Sequence, residues 1–548
     1  MTLLIKNGRI VDGTGNSSYK ADILIEDEQI KRIKVNFQIN TDQIINASGL
    51  VVCPGFIDMH SHGDLTILKV NNAEPSIMQG ATTLVVGVCG FGLAPSNKKV
   101  RDYYLNFVNA FDVSKIILYN NLQDFMEVIK TKGISTNLAL SIPQGNIRTY
   151  VMGMEERLAN EIELKAMKDL VREGMEAGAF GMSTGLIYPP GSITHTEEII
   201  ELCKVVSEYG GIYISHMRNE GDMVINEGMC EFIEIVKKAN IQGHISHWKA
   251  GSISAWELTP KMIKMIIEAR YEGLNIYADL YPYEEASTSL SGTLLKPWVY
   301  KDFHKNLTNH EIRKKILDDM INTLLSTFSA DVLENISKAD LIKAIISYLM
   351  RNTRVISVSH NKEVEGFKLD KALKLLYPYK NPLDALLDFI RDEEGSIMVS
   401  FKIMNEKKSI IPLFKQDFVC VGSDGFLILD KNTHPRSYGT FPRVISRYIR
   451  KKGIVTLEEG IRKMTGLPAS ILNLSDRGVI KPNKKADLVI FDYEKIKDKG
   501  TYQNGTQFPE GIHYVIVNGK IAVTQGKYLG VLNGQILRSK SYKKKDIL

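Results

Sequence analysis

Short apolar runs separated by turn-forming residues mark both ends of the chain. They occupy residues 3–5, 22–25, 49–52, 486–492 and 513–523. Turn residues such as Asp12-Gly13 bound them, and runs of this length are typical of strands in a small antiparallel sheet. Asn518-Gly519 is a pair that favours a tight hairpin turn. We therefore predict that the two chain ends together complete one small β-sandwich domain.

Between the two ends, strand-like apolar runs alternate with stretches of helical periodicity. The runs are residues 82–88, 137–142, 211–215, 244–246, 274–279 and 418–424, and the clearest helical periods are 161–178 and 223–240. Strict alternation over this length predicts an α/β protein with a (β/α)8 TIM-type barrel. Barrel active sites lie at the C-terminal ends of the strands, so the polar residues that end these runs are the candidates for chemistry.

Residues 296–348 break the alternation with charged amphipathic stretches, and they predict a helical insertion that could act as a lid. The predicted organisation is therefore the N-terminal part of the β-sandwich at 1–53 and the barrel at 54–477. The C-terminal part of the sandwich and a basic tail follow at 478–548. A chain of 548 residues exceeds the usual size of one hydrophobic core, which agrees with this division.

Composition and charge exclude several classes of protein. Apolar residues make up 44% and charged residues 24% of the chain, which is typical of a folded protein. The net charge of +6 is dispersed, and the compact basic run at 539–545 is typical of a solvated tail. No basic face interleaved with aromatic residues is evident, so we expect no nucleic-acid partner. No sequence feature indicates an oligomeric state.

The expected location is the cytoplasm. The five cysteines are odd in number and widely scattered, which favours a reducing compartment over a disulfide framework. The first residues lack the basic start and apolar stretch of a signal peptide. No run of about 18 apolar residues is present, so we expect no membrane span.

Two histidines stand two residues apart at the end of an apolar run. His60 and His62 follow Pro54-Gly-Phe-Ile-Asp-Met. Residues i and i+2 of a strand point to one side, so both imidazoles can reach a single metal ion. A His-x-His pair also arises by chance, and its interpretation depends on the other strand ends.

Later strands also end in side chains that bind metals. Cys89 lies among glycines, where a thiolate could bind or bridge a soft cation, although a buried free cysteine commonly serves only for packing. His216 and His247 each follow a serine at a strand end. Four imidazoles and one thiol at such positions favour a metal site. Asp424 is the candidate base for a metal-activated water, and the alternative is a turn aspartate before glycine.

These motifs together resemble the amidohydrolase superfamily and, more narrowly, the N-acyl-D-amino-acid deacylases, or D-aminoacylases. The resembling segments are residues 54–64, 79–95, 181–188, 215–220, 245–249, 279–283, 422–425, 434–443 and 463–469. They follow one another over nearly the whole chain, apart from the insertion and the tail.

The resemblance implies a role for each residue. One zinc ion would be held tightly by Cys89, His216 and His247, while His60 and His62 would serve a second, weaker position that the cysteine can bridge. Asp424 would be the acid–base residue. Many amidohydrolases bridge their metals with a carboxylated lysine instead, so the cysteine distinguishes this subfamily from the rest of the superfamily.

The resemblance also implies substrate contacts. Arg436 of the His-Pro-Arg motif, Lys249 and Tyr283 would bind the carboxylate of an acylated amino acid, with Tyr281 as the less favoured tyrosine. A planar guanidinium can donate two parallel hydrogen bonds to a carboxylate. The alternative for each residue is a surface salt bridge or a buried hydroxyl.

The sequence departs from the family pattern at three places. Gln144 stands where the family typically has histidine, so any role of that imidazole is absent or altered. His244 has no counterpart among the family ligands, and we expect it to pack or to form hydrogen bonds. Residues 426–433 differ from the usual glycine-rich run, which puts the lip of the pocket in doubt.

The predicted function is zinc-dependent hydrolysis of N-acyl-D-amino acids, small-molecule substrates that give a carboxylate and a D-amino acid. The D preference follows from the resemblance alone. One alternative is another amidohydrolase that acts on a cyclic amide, such as dihydroorotate or a hydantoin, or on a dipeptide. A second is a non-enzymatic scaffold, which would have no need of all six candidate metal and acid–base residues.

Overall fold

The structure is a computed structural model that describes residues 2–107, 117–325 and 337–542. The N-terminal strands are β1 (Thr2–Ile10), β2 (Tyr19–Glu26), β3 (Gln29–Lys34), β4 (Gln43–Asn46) and β5 (Val51–Pro54). The next strands are β6 (Phe56–Asp58), β7 (Ala81–Val86), β8 (Asn137–Leu140), β9 (Ile142–Pro143), β10 (Gly181–Gly185), β11 (Ile212–His216), β12 (Gln242–Ile245) and β13 (Ile276–Leu280). Three strands lie in the insertion, β14 (Glu285–Ser289), β15 (Thr353–Val358) and β16 (Ile397–Lys402). The last are β17 (Val419–Val421), β18 (Leu488–Phe491), β19 (Ile512–Val517), β20 (Lys520–Thr524), β21 (Lys527–Tyr528) and β22 (Ile536–Leu537).

Helices follow most of the parallel strands. Those between β6 and β13 are Glu74–Ile77, Lys98–Phe107, Leu122–Lys132, Gln144–Met152, Glu161–Glu176, Thr196–Glu208, Cys230–Ala239 and Thr259–Tyr271. Those between β14 and β17 are Leu290–Leu294, Phe303–Thr308, His310–Leu325, Lys338–Asn352, Leu369–Leu376, Pro382–Asp392 and Ile411–Phe414. Those after β17 are Arg436–Arg443, Leu457–Met464 and Gly466–Ile471.

Parallel strands form the centre of the fold. β6, β7 and β8 pair in that order, and β9, which continues β8, begins a second run through β10, β11, β12, β13 and β17. Backbone contacts also join the end of β17 to the end of β6, because Asp424 N donates to His60 O at 2.7 Å and Ser61 bridges to Gly425. The predicted α/β class is therefore confirmed, and the strand order is consistent with the predicted barrel.

Local sequence explains why strand and helix alternate. All six residues of β7, Ala-Thr-Thr-Leu-Val-Val, are buried, as expected for a parallel strand covered on both faces. The helix Glu161–Glu176 begins at Asn160, whose side chain accepts from Glu163 N while the Glu163 side chain accepts from Asn160 N. This reciprocal cap satisfies two backbone donors that the first helical turn leaves free.

The insertion is an α/β unit with its own hydrophobic core. β14, β16 and β15 form an antiparallel sheet in that order, and helices cover it. Buried residues such as Leu290, Leu386 and Phe389 belong to a cluster separate from the main core. The unit extends from Glu285 to Lys402, so the predicted insertion at 296–348 covers only part of its helices. Residues 326–336 of that prediction lie outside the described part of the chain.

The two chain ends share one sheet of nine strands, in the order β21-β20-β19-β18-β5-β1-β2-β3, with β4 paired to β1. β18 joins the two ends by pairing antiparallel with β5. The hairpin predicted at Asn518-Gly519 links β19 and β20, with φ of 44° and 80° at the two residues. Positive φ at both turn positions matches the tight hairpin turn that this pair favours.

The chain then returns from the end sheet to the central strands. β22 pairs parallel with β8, opposite β7, and Leu138 N donates to Gln535 O at 2.9 Å. The lysine-rich run predicted as a tail continues past residue 542, beyond the described residues. Within the described ranges, no helix is long and apolar enough to cross a membrane.

Candidate metal centre and active site

The structure brings the six candidate metal and acid–base side chains to one edge of the parallel strands. His60 and His62 follow β6, Cys89 follows β7, His216 ends β11, His247 follows β12 and Asp424 follows β17. Because the C-terminal ends of parallel strands meet at the same edge, residues far apart in sequence converge there. All of them are buried or nearly so.

The Cys89 sulfur contacts three imidazoles. Its Sγ lies 3.3 Å from His60 Nε2, 3.5 Å from His247 Nε2 and 3.7 Å from His216 Nδ1. With Zn–S near 2.3 Å and Zn–N near 2.05 Å, a tetrahedral ion separates its sulfur and nitrogen ligands by about 3.6 Å. The spacing of the donor atoms therefore fits a zinc ion.

Among the described residues, three groups of side chains could each hold a metal ion, because the ligand atoms within each group lie within 4.8 Å of one another. They are His60 with Cys89 and His247, then His60 with His62 and Asp424, and finally His216 with Glu220 and His247. His60 belongs to two of these groups, so the spacing alone does not separate a tight position from a weaker one. The division of the ligands between two metals stays a prediction.

Three site residues have left-handed backbone conformations. φ is 54° at Cys89, 35° at His247 and 52° at Asp424. Such conformations cost non-glycine residues about 1–3 kcal/mol and persist only where the surroundings hold them. Here the His247 N–H donates to Asp279 Oδ1 at 2.9 Å, and the Ser423 N–H donates to Asp58 Oδ1 at 2.7 Å, just before Asp424.

The electrostatics favour a thiolate among charged imidazoles. Burial alone would raise the pKa of the Cys89 thiol, but the charge of His60 and the hydrogen bonds from the imidazoles hold that pKa well below its usual value. Burial opposes protonation of His62, yet its contacts with Asp424 and Cys89 raise the His62 pKa to about 9. The pKa of His60 is raised against its burial by Cys89 and Asp279. The site therefore attracts positive charge.

Asp279 is a buried carboxylate that the sequence did not identify as functional. Its Oδ2 lies 2.7 Å from His244 Nε2 and 3.7 Å from His60 Nδ1. His244 thus forms a hydrogen bond, one of the two roles expected for it. A carboxylate on the outer nitrogen of a ligand histidine orients the ring and fixes its tautomer. Asp279 instead holds the His247 backbone, and it places a negative charge near His60 Nδ1 at a distance too long for a hydrogen bond.

Glu220 is a second carboxylate that the sequence analysis did not identify as functional. Its Oε1 lies 2.7 Å from Lys249 Nζ and 3.1 Å from His247 Nδ1, and its Oε2 lies 3.6 Å from His216 Nε2. Lys249 Nζ also lies 2.7 Å from His247 Nδ1. Lys249, predicted to bind substrate, is therefore buried in a cluster with two metal-ligand candidates.

Asp424 and Arg436 form a buried ion pair. Arg436 Nη1 lies 2.8 Å from Asp424 Oδ2, while Asp424 Oδ1 lies 3.2 Å from His62 Nε2. Burial would raise the pKa of Asp424, but the charge of Arg436 and the hydrogen bond from His62 hold it well below its usual value. Asp424 is therefore an anion at neutral pH.

The two candidate tyrosines differ in their surroundings. The Tyr281 ring lies 4.9 Å from the Arg436 guanidinium and 6.0 Å from Lys249 Nζ, and its buried hydroxyl has no hydrogen-bond partner among the described residues. The Tyr283 hydroxyl donates to Pro435 O at 3.3 Å, and its ring faces Arg443 at 4.5 Å. The structure thus groups Tyr281, rather than Tyr283, with the two predicted carboxylate-binding cations.

Tyr188 is a further aromatic residue of the site that the sequence analysis did not identify as functional. Its hydroxyl lies 3.1 Å from His216 Nδ1, the nitrogen that faces Cys89. By contrast, Gln144 contacts Thr194 and Glu198 at 3.4 Å rather than the cysteine–histidine cluster.

Comparison with known proteins agrees with this site. A model of the amidohydrolase family matches residues 43–189 and 415–523. In these two segments the chain is similar to the amidohydrolase family.

Relatives over the full length are deacylases of N-acyl-D-amino acids, which confirms the predicted resemblance. D-aminoacylase from Alcaligenes xylosoxydans xylosoxydans is 29% identical, with 98% of this chain and 97% of that protein aligned. A similar solved structure is N-acyl-D-glutamate deacylase from Bordetella bronchiseptica, which was determined with zinc and a phosphonate mimic of the tetrahedral intermediate. The two chains have a TM-score of 0.80 and 26% sequence identity, and the alignment covers 98% of this chain and 99% of that one. A D-aminoacylase structure concerned with its binuclear metal centre has a TM-score of 0.79 at 27% identity, covering 98% and 99%.

Proposed function

We propose that the protein hydrolyses the amide bond of N-acyl-D-amino acids, releasing a carboxylate and a D-amino acid, with zinc as cofactor. The observation that carries this proposal is the meeting of three components at one strand edge. A thiol–histidine cluster suits a metal, a buried carboxylate suits proton transfer, and two cations beside Tyr281 suit a substrate with a free carboxylate. The D-aminoacylase and zinc-bound deacylase relatives support the same reaction.

Cys89, His216 and His247 would hold the tightly bound zinc, and His60 with His62 would serve a second, weaker position. The distances from Cys89 Sγ, 3.5 Å to His247 Nε2 and 3.7 Å to His216 Nδ1, support a zinc ion held by these three side chains. The chemistry that zinc supplies in such a donor set is Lewis acidity toward the amide carbonyl and toward water. A binuclear centre in a D-aminoacylase relative supports room for a second ion.

Asp424 would move the proton. Asp424 is ionised at neutral pH, so its carboxylate can accept a proton from the attacking water, and the protonated acid then donates to the leaving nitrogen. His62 and Arg436 fix the position of its two oxygens. Asp424 faces both His60 and His62, which would serve the second metal position, and it pairs with Arg436, which would bind substrate. No other carboxylate among the described residues of the site combines these contacts.

The substrate carboxylate would bind between Lys249, Arg436 and Tyr281. The guanidinium of Arg436 has donors beyond the one at Asp424, and one of them reaches Ser287 O of β14 at 3.1 Å. The unpartnered Tyr281 hydroxyl can donate to an anion held between the two cations. We therefore assign this contact to Tyr281 in preference to Tyr283.

The five cysteines are all free, which supports a reducing compartment such as the cytoplasm. A hydrolase of cyclic amides or dipeptides is the competing function, and the same assay separates the two.

The experiment compares metal-free protein with protein reconstituted with zinc. The substrates are N-acetyl-D- and N-acetyl-L-methionine, their glutamate counterparts, dihydroorotate, a hydantoin and a dipeptide. We expect zinc-dependent hydrolysis of the N-acetyl-D-amino acids. Equal rates without zinc, or turnover confined to the cyclic amides or the dipeptide, would refute the proposal.

A further inference from the structure

Glu220 has no part in the proton transfer or in the predicted ligand set, yet it contacts two predicted metal ligands and one proposed substrate-binding residue. Its side chain is 10% exposed, and it lies within 3.6 Å of nitrogens of His216, His247 and Lys249. It therefore joins two metal-ligand candidates to a proposed substrate contact.

The contact with His247 decides which nitrogen of that ring is free. Its Nε2 faces the Cys89 sulfur at 3.5 Å, so this nitrogen must carry a lone pair if the ring is to bind a metal. In a neutral imidazole the proton then sits on Nδ1, which needs an acceptor. Glu220 Oε1 offers that acceptor at 3.1 Å.

Lys249 favours the opposite arrangement. An ammonium group has only donors, and Lys249 Nζ lies 2.7 Å from His247 Nδ1. A hydrogen bond from Lys249 to Nδ1 would place the imidazole proton on Nε2, toward the cysteine, and would block metal binding there. Lys249 Nζ also lies 2.7 Å from Glu220 Oε1, so the carboxylate competes with His247 for the ammonium.

We propose that Glu220 is a positioning residue that holds His247 with its metal-facing nitrogen free and, at the same time, holds Lys249 for the substrate carboxylate. The lysine half of this proposal rests on the proposed function, whereas the histidine half concerns metal binding alone. His216 belongs to the same arrangement, because its Nδ1 faces Cys89 and its Nε2 faces Glu220 Oε2 at 3.6 Å.

A simpler role for Glu220 would be charge balance. Lys249 is 3% exposed, and an ammonium at such a site needs a counter-ion. Charge balance requires Glu220 only while the lysine is present, whereas positioning of His247 requires it always. A double substitution therefore separates the two roles.

The experiment measures zinc affinity of the metal-free protein by chelator competition, without substrate, for Glu220→Met, Lys249→Met and the double variant. We expect Glu220→Met to weaken zinc binding by about 10–100-fold, the usual effect of losing a carboxylate behind a ligand histidine. Lys249→Met should bind zinc at least as tightly as the wild type, because the competing ammonium is gone. The double variant should recover only part of the affinity lost in Glu220→Met, because His247 Nδ1 still lacks its carboxylate acceptor. Recovery of wild-type affinity in the double variant would overturn the proposal.

Three further measurements keep the result specific. Glu220→Gln keeps an acceptor oxygen and should recover part of the lost affinity, with a cobalt–thiolate absorption spectrum closer to the wild type than that of Glu220→Met. Glu227→Gln, an exposed neighbour that contacts Asn219, is the matched control and should leave zinc affinity unchanged. Glu220→Gln as weak as Glu220→Met, or an equal loss in Glu227→Gln, would contradict a specific role for the Glu220 carboxylate.

Kinetics test the lysine half. With zinc saturating, Lys249→Met and Glu220→Met should both raise KM for the N-acyl amino acid, and the double variant should raise it no more than Lys249→Met does. Additive increases would refute the coupling. If the wild type hydrolyses no N-acyl amino acid, the proposed function fails while the zinc-affinity result still decides the role of Glu220 at His247.

Discussion

Replacing Asp424 with asparagine removes the proposed acid–base group with little other change. Asp424 has a φ of 52°, and asparagine is among the few residues that adopt this conformation readily. The side-chain oxygen of asparagine can still contact His62, which lies 3.2 Å from Asp424 Oδ1. An alanine would add backbone strain, so asparagine is the cleaner test.

The expected loss of activity follows from the role assigned to the carboxylate. A positioned acid–base group contributes about 10²–10⁴-fold to the rate, which is about 2.7–5.5 kcal/mol of transition-state stabilisation. Folding stability should fall as well, because buried Arg436 loses an anionic partner at 2.8 Å. Breaking a buried ion pair by removing one of its charges costs about 3–5 kcal/mol. The assay must therefore run well below the melting temperature of the variant.

The assay measures kcat with N-acetyl-D-methionine and, in the same samples, zinc per chain. Asp430→Asn is the control, since Asp430 is exposed and pairs with Lys69 at the surface. We expect the control to match the wild type and Asp424→Asn to lose activity at normal zinc content. A zinc-loaded Asp424→Asn that keeps kcat within about tenfold of the wild type would contradict the acid–base assignment.

Three further predictions concern packing, pH and substrate recognition. A Cβ at Gly185 would overlap the carbonyl oxygen of Cys89, so Gly185→Ala should lower the free energy of unfolding by about 1–3 kcal/mol and should lower zinc content. A Cβ at Gly221 would make only an ordinary contact, at 3.6 Å from the Asn219 side-chain oxygen, so Gly221→Ala should change neither quantity. Equal zinc content in the two variants would contradict this prediction. A nearby arginine and lysine outweigh the effect of burial and lower the pKa of Glu406 to about 2. The Glu406 carboxylate should therefore contribute about 1–2 kcal/mol to the free energy of unfolding, in full above pH 4.5 and less as the pH falls toward 2. Urea unfolding of the wild type and Glu406→Gln measures this contribution, and a difference independent of pH would refute the prediction. Tyr281→Phe should raise KM for N-acyl amino acids by about 10–100-fold, because it removes the hydroxyl proposed to bind the substrate carboxylate, whereas Tyr283→Phe should not. The reverse pattern would favour Tyr283, the tyrosine that the family resemblance implies, as the substrate contact.

Strand periodicity predicted much of the metal site because its residues are tied to strand ends. His60 and His62 lie two apart, and His216 and His247 follow similar apolar runs that end at the same edge of the parallel strands. For such residues the spacing in sequence fixes the direction in space. Cys89 and Asp424 were candidates from their positions at strand ends, and the resemblance then gave each a more specific role, since a free cysteine and a turn aspartate are common elsewhere.

The supporting residues could not be predicted in this way. Asp279 meets His244 and Glu220 meets Lys249 across neighbouring strands, and no spacing within one strand indicates either contact. Tyr281 and Tyr283 are two apart, yet they follow the end of β13, where alternation no longer applies. One therefore faces Lys249 and the other Arg443.

The sheet of the insertion was missed for a related reason. β14, β15 and β16 lie far apart in sequence, and helices separate them. β14 is rich in serine and threonine and carries little apolar alternation, so it has no signal of a buried strand. Its role becomes visible only in space, where Ser287 O accepts a hydrogen bond from Arg436 at 3.1 Å. A segment that resembles a separate lid thus supplies a backbone contact to a proposed substrate residue.

The charges of the site favour a bound cation. The anionic groups are Cys89, Glu220, Asp279 and Asp424, and the nearby cations are Lys249 and Arg436. Lys249 balances the charge of Glu220, and Arg436 balances that of Asp424. The negative charges of the Cys89 thiolate and Asp279 must then be balanced by the imidazoles. Protonated imidazoles supply that balance, because the pKa values of His60, His62 and His247 are all raised. Because a metal binds the deprotonated ligands, a divalent cation would displace protons from the imidazoles and supply positive charge in their place. The site therefore attracts positive charge to the cysteine, whether as protons or as a metal ion.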